Sequence, residues 1–401
     1  MADEFIAEPD LQFTRDLIEA GAEDLKKCYQ CATCSVACRI APDNNPYPRK
    51  EMIWAQWGMK DRLLNDPDVW LCHQCNDCST QCPRGANPGD VLKAVRKMNI
   101  QENSWPSFIG NLVGTPSLFV LTLGIPVVIV LMLVYANNGF TFPTPIHYGE
   151  YISYLHMQIV FAAALLLAVF SLLFSLRSYW NQLEANNQFE AGGARKGFVP
   201  SLISALGQIL PHTTFKDCEA NNIRYTAHLL AFYGMIGLLV TTAIVGFMID
   251  ILHLAPPSRN GPLTIPIKVL GNTAAVAFLI GLLIMLVRRL TNPDQAGNSS
   301  YFDWFFLFII VVTGLTGVLT ELARWGGFVA APYALYTIHL MFVLALFLYL
   351  PFCKFAHIGY RTVAIVWGKS VGRDMTIPTE PNYVPPAPEP TEEAAEAAEA
   401  G

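Results

Sequence analysis

The sequence predicts an all-α protein in two parts, a polar cysteine-rich head followed by a membrane domain of six helices. Three observations carry this. Eight of the ten cysteines fall in two identically spaced arrays near the N-terminus. Six later stretches are apolar over about 20 residues each, the length that crosses a bilayer. Hydrophobic residues make up 53% of the chain and charged residues 14%, whereas a soluble domain carries about 25% charged.

The average hides a sharp division. Residues 1–105 are polar and form the expected head; residues 110–365 are mostly apolar with polar loops. Residues 378–401 hold little but Pro, Glu, Ala and Thr. Such a segment cannot bury enough apolar surface to fold and reads as a disordered acidic tail. The net charge of −6 offers no basic surplus for nucleic acid. The opening MADEFIAEPDLQF is acidic, with no apolar run before the first cysteine, so the head is expected to stay in the cytoplasm. In that reducing compartment clustered cysteines point to metal rather than to disulfides.

The first array runs Cys28-Tyr29-Gln30-Cys31-Ala32-Thr33-Cys34-Ser35-Val36-Ala37-Cys38. The second runs Cys72-His73-Gln74-Cys75-Asn76-Asp77-Cys78-Ser79-Thr80-Gln81-Cys82-Pro83. Both read C-x2-C-x2-C-x3-C, the spacing that binds [4Fe-4S] clusters. Three thiolates in one tight turn wrap three corners of a cubane, and the fourth reaches the other cluster. One cluster is therefore expected on Cys28, Cys31, Cys34 and Cys82, the other on Cys72, Cys75, Cys78 and Cys38. Zinc needs only four ligands per site and leaves the repeated third and fourth cysteines unexplained. Arg39 stands where small ferredoxins often carry proline. Between and around the arrays, apolar periodicity predicts helices over 10–27, Arg49–Leu64 and 88–99.

The six expected spans are 115–136, 155–176, 226–252, 267–287, 302–322 and 333–352. One set of loops carries Arg177, Arg195, Lys196, Lys216, Arg224, Arg288, Arg289, Lys354, Arg361, Lys369 and Arg373; the alternate set carries little beyond Arg259 and Arg324. The positive-inside rule then puts both termini in the cytoplasm.

Histidines mark the candidate cofactor sites. His228 opens the third span and His253 closes it; His339 lies early in the sixth and His357 just past its end. At 100° per residue, a separation of 18 residues is a whole number of turns for His339 and His357. His228 and His253 fall about 20° off a common face by the same rule. The third and sixth spans run antiparallel, so His228 should oppose His357 and His253 should oppose His339. Two imidazole pairs suit two b haems. The axial separations differ, about 37 Å against about 27 Å; Pro351 can absorb part of this, and His156 is a substitute ligand at the outer end. Small residues on the third and fifth spans (Gly234, Gly237, Gly314, Gly317, Thr313, Thr316) fit either close helix packing or a flat ligand. Asp250 and Glu321 lie near the outer surface and could accept protons from a quinol, with His156 and His147 as weaker candidates; the alternative is a cytoplasmic quinol site near His228. Arg324, close to Glu321 in sequence, is the expected ion-pair partner. Cys218 and Cys353 carry no assigned role.

On these motifs the head resembles the C-type iron–sulfur subunit of heterodisulfide reductase, with an α-helical ferredoxin plan also found in succinate dehydrogenase iron–sulfur subunits. Residues 110–365 resemble the haem b membrane subunit of that system and, more distantly, the gamma subunit of respiratory nitrate reductase, whose haem-ligating pair 18 apart maps onto His339 and His357. The fusion of both parts resembles the C-type subunit of quinone-interacting membrane-bound oxidoreductase (Qmo) complexes of sulfate-reducing bacteria. The resemblance implies the bacterial inner membrane, menaquinone as substrate, two flavin-containing partner subunits related to the A-type flavoprotein of heterodisulfide reductase, and electron delivery towards adenylylsulfate reductase. The chain lacks CCG repeats and a G-x-G-x-x-G fingerprint, so disulfide or flavin chemistry is expected on other polypeptides. Two rivals remain at this level, an anchor for a heterodisulfide reductase and a scaffold with structural clusters.

Overall fold

The computed structural model describes residues 8–42, 45–185, 195–212, 214, 222–254, 264–292 and 296–373. Cys218, Lys216, Arg259 and the acidic tail lie outside the described residues. Within them every regular element is a helix. The all-α expectation holds.

The head contains α1 (Leu11–Glu19), α2 (Thr33–Val36), α3 (Arg49–Gln56), α4 (Lys60–Leu64), α5 (Asp68–Leu71), α6 (Asp77–Thr80) and α7 (Pro88–Asn103). The single helix expected over Arg49–Leu64 is broken. Gly58 takes φ +66°, and a Cβ there would sit 2.4 Å from the carbonyl oxygen of Asp10. Only glycine turns the chain at that close approach. The helix expected over 10–27 likewise ends at Glu19, and a short 3-10 turn over Leu25–Lys27 follows.

After α8 (Ser107–Gly114) come α9 (Phe119–Asn138), α10 (Tyr148–Tyr151), α11 (Tyr154–Ala185), α12 (Phe198–Ile209), α13 (Asn222–Asp250), α14 (Thr264–Thr291), α15 (Tyr301–Trp325), α16 (Ala330–Tyr349) and α17 (His357–Ser370). Six segments are long and apolar enough to span a membrane: Pro116–Asn138, Tyr154–Ala185, Ile223–Asp250, Thr264–Thr291, Tyr301–Trp325 and Ala330–Phe352. This is a multi-pass membrane protein. Helices α13 and α14 pack closely because small residues line their seam. A Cβ on Gly281 would lie 2.6 Å from the carbonyl oxygen of Ala227, and one on Gly234 would lie 2.6 Å from the backbone nitrogen of Phe278. Gly234 therefore serves helix contact, the plainer of its two expected roles. Gly317 instead lies under the His339 ring, 3.0 Å from Cε1 to its ideal Cβ position.

The head and the bundle share one core. Tyr360 of α17 stacks on Trp70 of α5 with centroids 4.9 Å apart and meets Tyr179 of α11 at 5.3 Å. All three rings are buried. A buried ionic knot closes the same joint. Lys50 reaches Asp66 at 3.0 Å, Glu51 at 3.5 Å and also Asp68, and Arg373 pairs with Asp68 at 2.5 Å. Burial raises the Glu51 carboxyl well above the usual range. Burial likewise raises Asp66, so three buried carboxyl groups share the cations Lys50 and Arg373. Removing one member of such a set strands a buried charge, at about 3–5 kcal/mol. Lys50→Met should therefore lower the stability of the detergent-solubilised protein by about that amount, read from chemical unfolding followed by tryptophan fluorescence. An unchanged midpoint would mean the knot carries no net stability.

Candidate functional site

Both cysteine arrays fold alike. Each makes a turn in which two residues take left-handed backbone angles, Gln30 and Ala32 (φ 62° and 68°) in the first, Gln74 and Asn76 (53° and 75°) in the second. A one-turn helix follows each, α2 and α6. Left-handed residues between the cysteines curl the chain so that successive thiols and N–H groups face one concavity. Neither array has a glycine at these positions, so composition gave no sign of the strain.

The fold then brings the distant cysteine to each turn. Cys28, Cys31, Cys34 and Cys82 line one small pocket, with Arg49 and Arg84 at its rim. Cys38 lies electrostatically close to Cys72 and Cys75, and Cys78 to all three. These groupings match the crossover the spacing predicts. Backbone N–H groups reach sulfur in both sets: Gln74 to Cys72 at 3.3 Å and Ala86 to Cys82 at 3.4 Å. Such donors stabilise thiolate charge. Burial pushes the Cys34 thiol up to about 11 and raises Cys38 and Cys78 as well. Cys31, which is exposed, is lowered by hydrogen bonds from Thr33. The buried thiols hold their protons until a metal displaces them, so metal binding here releases protons.

A cavity of about 350 Å³ opens where the head meets the bundle. Its apolar wall includes Phe232, Met235, Phe278, Leu282, Phe306 and Ile310 from α13, α14 and α15. Its polar wall includes Cys72, His73, Arg96, His212, Arg224, His228, His357 and Arg361. His228 and His357 face each other with ring centroids 6.4 Å apart and planes at 81°. The Nδ1 atoms of both are engaged. His357 Nδ1 donates to the carbonyl of Lys354 at 2.7 Å. His212 Nδ1 donates to the carbonyl of Leu210 at 2.9 Å, which leaves its Nε2 to accept from His228 Nδ1 at 3.0 Å. The hydrogen bonds therefore direct Nε2 of His228 and of His357 to act as acceptors or ligands. Burial pushes His357 down to about 4, so it is neutral at pH 7. Burial, with Arg361 close by, also pulls His73 well below the usual imidazole range.

The far end differs from expectation. Helix α13 stops at Asp250, and His253 sits beyond it in a left-handed turn at φ 52°, exposed. The helical stripe drawn from His228 does not extend to it. The 18-residue repeat from His339 to His357 is broken too, since α16 ends at Tyr349 and two 3-10 turns around Pro351 precede α17. His339 is held by α15, its Nδ1 donating to the carbonyl of Thr313 at 3.0 Å. No hydrogen bond or ring contact joins His253 to His339 among the described residues. His156 is exposed and bonds Asn137 at 2.8 Å. Asp250 accepts from Gln158 at 2.7 and 2.9 Å. Glu321 pairs with Lys268 at 3.6 Å, not with Arg324, which stacks over Tyr148. An ion pair on Glu321 was expected, but across helices α14 and α15 the lysine is the neighbour.

Sequence reasoning passed over His212, His73, Arg96 and the second role of Arg224 and Arg361. A signal existed for the last two. Arg224 precedes His228 by four and Arg361 follows His357 by four, and residues four apart share a helix face.

Comparison with known proteins divides the chain as the fold does. The family described as Citrate utilization protein B matches residues 115–375, and the 4Fe-4S dicluster domain matches residues 24–86. The head is similar to the C-type subunit of the H(2):CoB-CoM heterodisulfide,ferredoxin reductase of Methanothermobacter marburgensis, 35% identical over 88 residues, 22% of this chain and 47% of the relative. It is also similar to a heterodisulfide reductase protein of the same C type from Archaeoglobus profundus, 39% identical over 85 residues, 21% of this chain and 45% of the relative. The chain spans about half the length of these curated relatives. No solved structure matches it.

The crossover has a direct test. Cys82→Ser should abolish the same electron-spin signal as Cys31→Ser, although the two lie in different arrays, while Cys72→Ser and Cys38→Ser remove the other. Loss of different signals by Cys82→Ser and Cys31→Ser would refute the crossover.

Proposed function

We infer the function from a premise and a placement: the chain belongs to the citrate utilization protein B family and carries a 4Fe-4S dicluster domain, and one cavity joins a cysteine of that domain to two facing histidines of the bundle. It is an iron–sulfur electron-transfer component of an oxidoreductase, with a head of the heterodisulfide reductase C type and a multi-pass membrane region. Within that frame we propose that it moves electrons between menaquinol and a partner flavoprotein. The observation that carries this is the shared cavity, whose polar wall includes Cys72, His228 and His357.

The residues fit the groups this reading needs. Cys28, Cys31, Cys34 and Cys82 would hold one [4Fe-4S] cluster, and Cys72, Cys75, Cys78 and Cys38 the other. His228 and His357 would hold a b haem. Two metal–nitrogen bonds of about 2 Å each put ring centroids about 6 Å apart, and the observed separation is 6.4 Å. Both imidazoles already give Nδ1 to a partner, the arrangement that fixes Nε2 as the ligand. For a second haem His339 offers the same state, with Nδ1 bonded to Thr313 and the flat backbone of Gly317 beside the ring. Bound clusters and haem supply one-electron chemistry, which splits the electron pair of a quinol. The chain's own part is to position them, keep water from the cavity and take up protons. Asp250 and Glu321, and less directly His156, are the groups at the far end suited to the last task, and this reading takes that end as the outer face. The positive-inside distribution supports this orientation in a bacterial inner membrane, with both termini cytoplasmic.

The acceptors this reading assigns are two flavin-containing subunits related to the A-type flavoprotein of heterodisulfide reductase and, beyond them, adenylylsulfate reductase. A second reading rests on the names of the relatives, which are heterodisulfide reductase subunits. There the chain would be the membrane anchor of such a complex, and co-purification of a CCG-type polypeptide would decide for it.

The primary test is an anaerobic visible spectrum before and after a reduced menaquinone analogue. Sharp b-haem bands should appear on addition, lose the contribution of one haem in His228→Ala and in His357→Ala, and keep full intensity in His253→Ala. Absence of haem in protein with full iron–sulfur content would overturn the histidine assignment. Asp250→Asn and Glu321→Gln should slow quinol oxidation with haem retained; full rates in both would remove the outer site.

A further inference from the structure

Three guanidinium groups converge on the turn that carries Cys72 and Cys75. Arg96 of α7 donates to the carbonyls of Val69 at 2.6 Å and Cys72 at 2.7 Å, and to the side chain of Gln74 at 3.0 Å. Arg224 of α13 donates to the carbonyls of Gln74 and His73, both at 2.6 Å. Arg361 of α17 donates to the carbonyls of Cys72 and Leu71, both at 3.3 Å, and to His73 Nε2 at 2.6 Å. Since Nε2 of His73 accepts from a guanidinium, that imidazole is neutral and adds no charge of its own. The equivalent turn of the first array is held differently. There the Gln56 amide, which is uncharged, donates to the carbonyls of Cys28 at 3.0 Å and Leu25 at 3.2 Å.

The two turns are alike in sequence and backbone but differ in what holds their carbonyls: charged guanidinium groups in the second, an amide in the first, where Arg49 and Arg84 line the thiol pocket rather than bond the loop carbonyls. A cluster on four thiolates is anionic, and reduction adds one electron and no proton. Burial opposes that added charge, because a low dielectric stabilises it less than water does. Cys72 and Cys78 are buried, whereas Cys31 of the first array is exposed. Fixed cations close by act in the other direction, and more strongly for being buried. Two of the three cations on the second turn come from membrane-domain helices.

We propose that Arg96, Arg224 and Arg361 raise the reduction potential of the cluster on Cys72, Cys75, Cys78 and Cys38 above the value its burial alone would give, and that Arg224 and Arg361 make this potential depend on the docking of the membrane domain. The cluster nearest the cavity accepts an electron readily only when the bundle is in place. The inference rests on the cysteine assignment above. Arg96, Arg224 and Arg361 are positioning residues: they touch the ligand loop and not the metal.

The test is a redox titration of the full-length protein with dithionite as reductant, each cluster followed by its own electron-spin signal. Arg96→Gln, Arg224→Gln and Arg361→Gln each remove one charge. In each, the equilibrium constant for one-electron reduction of the cluster assigned by Cys72→Ser should fall about tenfold, while the other cluster titrates as in the wild type. Arg361→Lys keeps the charge and should restore most of the shift. If Arg361→Gln assembles no cluster, Arg361→Lys and Arg224→Gln carry the comparison. Unchanged titrations, or equal shifts of both clusters, would overturn the proposal. Failure of the cysteine assignment is a separate outcome: wild-type protein would then lack two signals, or Cys72→Ser would leave both intact.

Discussion

The constraint on which the structure turns is that the Leu71–Cys75 loop cannot satisfy its own backbone. Its carbonyls face inward, in a buried joint between two domains, and no backbone N–H of another helix donates to them among the described residues. Arg96, Arg224 and Arg361 do so instead, from three different helices. Charged donors offset their burial only when well bonded, so each of these arginines holds its helix in register with the loop. The stack of Trp70, Tyr360 and Tyr179 fills the apolar space beside them. Domain docking and the shape of the cysteine turn are thus one event.

That joint also explains why the cavity lies where it does. Arg224 and His228 share a face of α13, and Arg361 and His357 share a face of α17. Anchoring the arginines on the cysteine loop brings both histidines over it. The break at Pro351 matters here, because it frees α17 from the direction of α16 and lets it lie along the head. A continuous helix would have kept His357 on the stripe of His339. The chain gives up that regularity and gains an interdomain contact.

The membrane helices supply the opposite wall by simpler means. Glycines at 234 and 281 let α13 and α14 touch through their backbones, which orders the pair by close packing. The apolar side of the cavity is formed by side chains that this packing leaves between α13, α14 and α15.

Much of this was legible in the sequence, because it depends on local periodicity and covalent spacing. The cysteine intervals gave two iron–sulfur arrays, and the fold brings Cys82 to the first turn and Cys38 beside the second. Apolar runs of bilayer length gave the six spans to within a few residues at most ends, and histidines near the expected cytoplasmic ends of the third and sixth spans pointed to His228 and His357. What failed was whatever assumed a helix continues: the stripe from His228 to His253, the repeat from His339 to His357, and the single helix over Arg49–Leu64. The helix end before Gly58 is set by the Asp10 carbonyl that packs against it, and the end at Tyr349 comes just before Pro351. Only the tertiary structure decided that Glu321 meets Lys268, that His212 supports His228, and that three arginines far apart in the chain share one loop. Spacing fixes which ligands can share a turn. Which charges surround that turn depends on how separate helices dock, and a linear pattern does not encode that directly.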